Sequence, residues 1–121
     1  MQYKYALEID PRNPQVYNNL GLTYKKIGDY KKATESFKTS LSIKPNFPEA
    51  CNNLALLLKE EMKVDDAINY LNKAIEFKPN YSEAFYNLGN TLTVNGDFRK
   101  AINAFKKAIE LKPDYFDALN N

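Results

Sequence analysis

The sequence contains no histidine, no tryptophan and only one cysteine among its 121 residues. Without histidine, a Ser-His-Asp triad and a histidine-ligated metal site are both excluded. A single cysteine cannot close an internal disulfide, and it suits a reducing, cytoplasmic compartment. No stretch approaches the roughly 18 uninterrupted apolar residues of a membrane-spanning helix. The N-terminal MQYKYALEID lacks the apolar run of a secretory signal. Neither charge sign dominates: seventeen basic and fifteen acidic residues leave a net +2, spread along the chain. A nucleic-acid partner is therefore not expected, because a phosphate backbone calls for a concentrated basic surface. With 44% hydrophobic residues, a chain of one-domain length has enough to build a continuous core.

The residues that punctuate secondary structure fall on one grid. Prolines stand at 11, 45, 79 and 113, each 34 residues after the last, and Pro14 and Pro48 keep the same interval. Gly21 and Gly89, like Gly28 and Gly96, are two such intervals apart, and Leu20, Leu54 and Leu88 repeat in step, as do Ala33, Ala67 and Ala101. The chain is a repeat array with a 34-residue period. Starting at Pro14, it holds three full units, 14–47, 48–81 and 82–115. We expect residues 1–13 to be the second helix of a truncated preceding unit, and 116–121 to open a following one.

Within a unit the apolar spacing is helical. Tyr17, Leu20, Leu22, Tyr24 and Ile27 mark a first helix; Tyr30, Ala33, Phe37, Leu41 and Ile43 mark a second. Gly28-Asp29 and Gly96-Asp97 separate the helices, a glycine free to end one left-handed and an aspartate able to cap the next. Met62-Lys63 holds that place in the second unit, so its turn is either strained or differently shaped. Proline after each second helix stops it, since the preceding residue is driven out of helical geometry. The expected pairs are 14–27 with 30–43, 48–61 with 64–77, and 82–95 with 98–111, each helix about 21 Å long.

This pattern resembles the tetratricopeptide repeat. Its signature residues appear as Tyr17, Leu20, Gly21, Tyr24, Ala33, Phe37, Ser40 and Pro45 in the first unit. The second has Cys51, Leu54, Ala55, Leu58, Ala67, Leu71, Ala74 and Pro79, and the third Phe85, Leu88, Gly89, Leu92, Ala101, Phe105, Ala108 and Pro113. Ser40 departs from the usual alanine, Cys51 and Phe85 from tryptophan, Leu58 and Leu92 from tyrosine. The resemblance implies an all-α, right-handed α-solenoid of antiparallel helix pairs. A lone pair leaves an apolar face bare, so units stack on their neighbours. The resemblance also implies no enzymatic activity, no cofactor and no metal, because a short solenoid offers an open groove in place of a closed pocket. Cys51 reads as a small buried hydrophobe. The adjacent acids Glu60-Glu61 and Asp65-Asp66 point different ways from a helix and do not converge. The junction aromatics Phe47, Tyr81 and Tyr115 read as packing, not as base-stacking platforms.

In the family the first helices line a concave, peptide-binding surface. The matching residues here are Asn18, Asn19, Leu22, Asn52, Asn53, Leu56, Glu83, Tyr86, Asn87, Asn90 and Asn121. Position 6 of every unit is asparagine (Asn19, Asn53, Asn87, Asn121). An amide both donates and accepts, so a ladder of them can hold the backbone of a passing peptide with little regard to its sequence. The alternative is that asparagine, common at this position in the family, is inherited with the repeat or bonds locally to a helix backbone. Against it, asparagine inside a helix costs about half a kilocalorie per mole relative to alanine, and it recurs while positions 5, 9 and 12 drift. Alanine at Asn53 and Asn87 should then weaken partner capture without unfolding the chain. The carboxylate clamp of chaperone-binding members is not expected: of Asn18, Leu22, Asn53, Glu83 and Asn87 only one matches it, and Glu83 repels a terminal carboxylate. Segments such as NFPEACNNLALLL resemble the arrays of O-linked N-acetylglucosamine transferases, which would make the chain a substrate-presenting arm whose catalytic domain lies elsewhere. A structural or oligomerisation spacer is the other alternative. Tyr3, Ala6, Leu7, Tyr115, Phe116 and Leu119 are apolar where a terminal unit is usually polar, so copies are expected to associate through their ends.

Overall fold

The computed structural model describes residues 12–114. Among the described residues six α-helices follow one another: α1 (Pro14–Lys26), α2 (Tyr30–Ile43), α3 (Pro48–Glu60), α4 (Val64–Phe77), α5 (Ser82–Val94) and α6 (Phe98–Leu111). Consecutive helices pack as pairs, α1 with α2, α3 with α4 and α5 with α6, and each pair stacks on the next. The result is an all-α solenoid with a 34-residue period. The truncated neighbours expected at 1–13 and 116–121 fall almost wholly outside the described residues, as do Tyr3, Ala6, Leu7, Tyr115, Phe116, Leu119 and Asn121.

Local chemistry sets the helix ends. Pro14 and Pro48 occupy the first turn, where a missing N–H costs nothing. Asn13 Oδ1 accepts from the backbone N–H of Gln15 and Val16, at 3.0 and 3.4 Å, and so caps α1. Asp29 caps α2 through the N–H of Lys32 at 3.1 Å. Asp97, expected to cap α6, instead accepts from the Asn95 side chain at 2.8 Å, which turns its carboxylate back toward the preceding helix. Lys44, Lys78 and Lys112 each precede proline, and their φ of −130°, −138° and −144° place them in extended backbone where the second helices stop.

The three turns within pairs are built alike. Gly28 and Gly96 have φ of 89° and 85°, and Met62 joins them at 63°. Asp29, Lys63 and Asp97 each donate their N–H to a carbonyl five residues back, at 2.8–2.9 Å. The turn of the second unit is therefore strained and not reshaped: methionine is held left-handed by the same two hydrogen bonds that glycine satisfies freely.

The core runs through all three units as one cluster, with Ala33, Phe37, Leu54, Ala55, Leu57, Ala67, Leu71 and Ala74 essentially inaccessible. Its tightest contact is the close approach of paired helices. A Cβ on Gly21 would lie 2.5 Å from the Phe37 ring, and one on Gly89 would lie 2.6 Å from Phe105. Where the second unit has Ala55, the facing residue shrinks to Leu71. A second swap occurs at positions 4 and 23: Tyr17 goes with Ser36 and Phe85 with Ala104, while Cys51 goes with Tyr70. In each pair a larger residue is matched by a smaller one, although beside Cys51 and Tyr70 a cavity remains.

One further inter-helix contact is made in mirror fashion. Ser40 Oγ of α2 donates to the Pro14 carbonyl of α1 at 2.8 Å. In the third unit Ser82 Oγ of α5 donates to the Ala108 carbonyl of α6 at 3.0 Å. The same two positions meet, and the hydroxyl has changed helix. This explains the departure at Ser40: the buried hydroxyl has an acceptor waiting.

Candidate functional site

The first helices α1, α3 and α5 lie side by side, and a row of amides joins them. Asn53 Nδ2 donates to Asn18 Oδ1 at 3.0 Å, and Asn87 Nδ2 donates to Asn52 Oδ1, also at 3.0 Å. The position-6 asparagine of one unit thus reaches back to the position-5 asparagine of the unit before. Asn18 and Asn52 are 4% and 3% exposed, so their oxygens depend on these donors. Asn53 and Asn87 are half-buried. Each has spent one N–H and retains its other N–H and its oxygen for an outside group. Asn19 begins the row differently, its oxygen accepting from Gln15 Nε2 at 3.0 Å.

The other expected groove residues border this row. Leu22 is 42% exposed, and Leu56 and Asn90 are half-buried. Tyr86 replaces asparagine at position 5 of the third unit, and its ring meets Phe105 edge-on at 5.8 Å between centroids. Glu83 is exposed at the start of α5. Lys25 and Glu60 close an ion pair of 3.5 Å between units at the far end of the first helices. Glu49 and Glu83 stand in the first turns of α3 and α5, and Lys25, Lys26 and Lys59 in the last turns of α1 and α3.

Behind the row sits Tyr81, 9% exposed, with Lys78 Nζ 4.5 Å from its ring centroid. Burial, reinforced by the Glu49 and Glu83 carboxylates, pushes its phenol up to about 12, against a partial counter-effect of a hydrogen bond with Asn52. Lys44 repeats the ring contact on Phe47 at 4.9 Å. Phe47 and Tyr81 are buried, so these junction aromatics serve packing. Cys51 is 1% exposed, and burial pushes its thiol up to about 11 despite the nearby Lys73. A thiol held protonated is a poor nucleophile. Glu61, Asp65 and Asp66 are exposed, and Glu60 answers Lys25. Among the described residues no group of three or more ligating side chains gathers around a common point, and no helix is long and apolar enough to cross a membrane.

A cavity also lies away from the expected groove. It has a volume of about 440 Å³ and is lined by Lys38, Leu41, Ser42, Pro45, Cys51, Tyr70 and Lys73. A cysteine where the pattern wants a large side chain was its signal in the sequence.

A stacked array of 34-residue helix pairs with an amide row along its first helices defines an α-helical repeat protein. The family model for the tetratricopeptide repeat matches residues 14–47 and 82–115, and a second TPR repeat model matches 63–93. The chain belongs to the tetratricopeptide repeat family. No curated protein matches it. Among solved structures it is similar to that of MamA, with 34% identity, a TM-score of 0.84, and coverage of 92% of this chain and 65% of that one. It is also similar to YrrB, described as a TPR protein with an unusual peptide-binding site, at 27% identity and a TM-score of 0.83, covering 98% of this chain and 61% of that one. The second TPR of Spaghetti (RPAP3), bound to an HSP90 peptide, shares the fold at 22% identity and a TM-score of 0.80, over 83% of this chain and 93% of that one. The chain spans less than two thirds of the length of the MamA and YrrB chains.

Proposed function

We propose that this chain binds an extended peptide or protein segment along α1, α3 and α5 and has no catalytic role. The observation that carries the reading is the amide row. Asn53 and Asn87 are fixed by their bonds to Asn18 and Asn52, yet each keeps one N–H and one oxygen unspent. Amides held in place before a ligand arrives cost less to order on binding. Adjacent helices about 8–10 Å apart match roughly three residues of extended chain per rung. The likeness to YrrB, a peptide-binding member of the family, supports the same reading. Hydrogen bonds of about 1 kcal/mol each do not offset an association cost of about 4–15 kcal/mol, so these units bind weakly unless more units join the row.

A displayed library of unstructured peptides, selected on the wild-type chain, tests this with two variants. Asn53→Ala and Asn18→Ala both break the same inter-unit bond, but only the first removes a side chain that solvent still reaches. Selected peptides should lose about tenfold in affinity with Asn53→Ala, some 1.4 kcal/mol, and distinctly less with Asn18→Ala. Equal losses in the two variants would make the row purely structural. The same outcome would favour the spacer alternative, in which contacts map to the ends of the array.

A further inference from the structure

The cavity at the first seam is a property of this sequence and not of the repeat pattern. Between units 1 and 2, Cys51 is small where Phe85 stands at the next seam, and the wall opposite is Lys38, Leu41, Ser42 and Pro45. Tyr70 lines the floor with its ring, and Lys73 Nζ stands 5.1 Å from the centroid of that ring. Moving 34 residues along, the seven lining positions become Asn72, Ile75, Glu76, Pro79, Phe85, Ala104 and Lys107. The second seam therefore has one lysine where the first has two, and a glutamate where the first has Ser42. Lys107 also pairs with Glu110 at 3.9 Å. Lys38 and Lys73 make no ion pair among the described residues, although Glu35 and Glu76 lie one turn away on their own helices.

We infer that this notch is a second docking site, which takes an apolar side chain flanked by carboxylates from a partner protein segment. The interior of Leu41, Pro45, Cys51 and the Tyr70 face accepts an apolar group, and burying it there is favourable by roughly 25 cal/mol per Å². Two unpaired ammonium groups at the mouth demand anionic neighbours and turn away basic ones. The volume is in the range of about 300–1,000 Å³ that ligand pockets occupy. Lys38, Ser42, Pro45 and Lys73 are exposed, however, so a free small molecule leaves much of itself in water. A side chain presented by a longer segment gains contacts beyond the rim. The notch shares no residue with the amide row, so it stands or falls separately from the reading above.

The test uses three blocked pentapeptides, Gly-Glu-Phe-Glu-Gly and its counterparts with Gln or Lys replacing both Glu. The readout is chemical-shift change at the Leu41 methyls and the Tyr70 ring. We expect the Glu peptide to shift these signals and bind at least tenfold more tightly than the Gln peptide, with the Lys peptide silent. Lys38→Glu/Lys73→Glu changes only exposed groups, so the fold is retained, and the preference should reverse toward the Lys peptide. Cys51→Phe/Tyr70→Ala copies the Phe85 and Ala104 pair and should abolish the shift at the Leu41 methyls. Equal binding of the Glu and Gln peptides, or an unreversed preference in the double glutamate variant, would overturn the assignment. So would 3-phenylpropionate binding as tightly as the Glu peptide, since that marks a small-molecule site.

Discussion

At the scale of single residues, this chain shows which substitutions its own packing has already tried. Gly21 faces Phe37, Gly89 faces Phe105, and the one alanine at that position, Ala55, faces the smaller Leu71. The contact tolerates either a bare backbone with a large ring or a methyl with a smaller side chain. Gly21→Ala is therefore expected to destabilise, even though alanine favours the helix by about 1 kcal/mol. A Cβ 2.5 Å from a fully buried ring forces displacement, and overpacking of this kind costs about 1–3 kcal/mol. Adding Phe37→Leu should recover most of that loss. Urea titration of the wild type, both single variants and the double variant measures the coupling. Additive losses would mean that the ring moves aside and that the two positions do not constrain each other.

At the scale of elements, the turns show what was legible in the sequence and what was not. The 34-residue period marks the boundaries of the described helices to within a residue or two, because the prolines and glycines that set it act through backbone geometry. Met62 left two outcomes open. The structure selects the strained one, since the hydrogen bonds of Lys63 to Leu58 and of Met62 to Lys59 hold the left-handed conformation whatever the side chain. A left-handed non-glycine residue costs about 1–2 kcal/mol. Met62 is 70% exposed, so its side chain offers little packing in return. Met62→Gly should raise stability by about 1 kcal/mol and the melting midpoint by about 4 °C. An unchanged or lower midpoint in a thermal melt would show that the methionine makes contacts that offset its strain. The ladder was half legible for a related reason. Alignment on the period compares position 6 with position 6, whereas the bonds run from position 6 to position 5, 35 residues back. Partners one step off the grid escape a search along it. The Ser40 and Ser82 bonds, each spanning 26 residues, escape in the same way.

At the scale of the whole molecule, the amide row carries two duties that have to be separated. A solenoid's stability is the sum of unit and seam contributions, so a bond crossing a seam bears on whether neighbouring units unfold together. Truncating Asn53 therefore bears on stability as well as on capture: removing its donor strands the Asn18 oxygen at 4% exposure. Leaving a buried acceptor unpaired costs about 1–3 kcal/mol, whereas replacing both partners by apolar groups of similar shape is nearly neutral. Asn53→Leu alone should accordingly lower stability by about 1–3 kcal/mol and blunt the denaturation slope as the first unit uncouples. Asn18→Leu with Asn53→Leu should restore the urea midpoint to within about 1 kcal/mol of wild type. That double variant keeps the seam and loses the rung, so any fall in peptide affinity belongs to recognition alone. Should the double variant be no more stable than Asn53→Leu, the amide bond would not be what holds the two units together, and the row would have to be explained by its ligand.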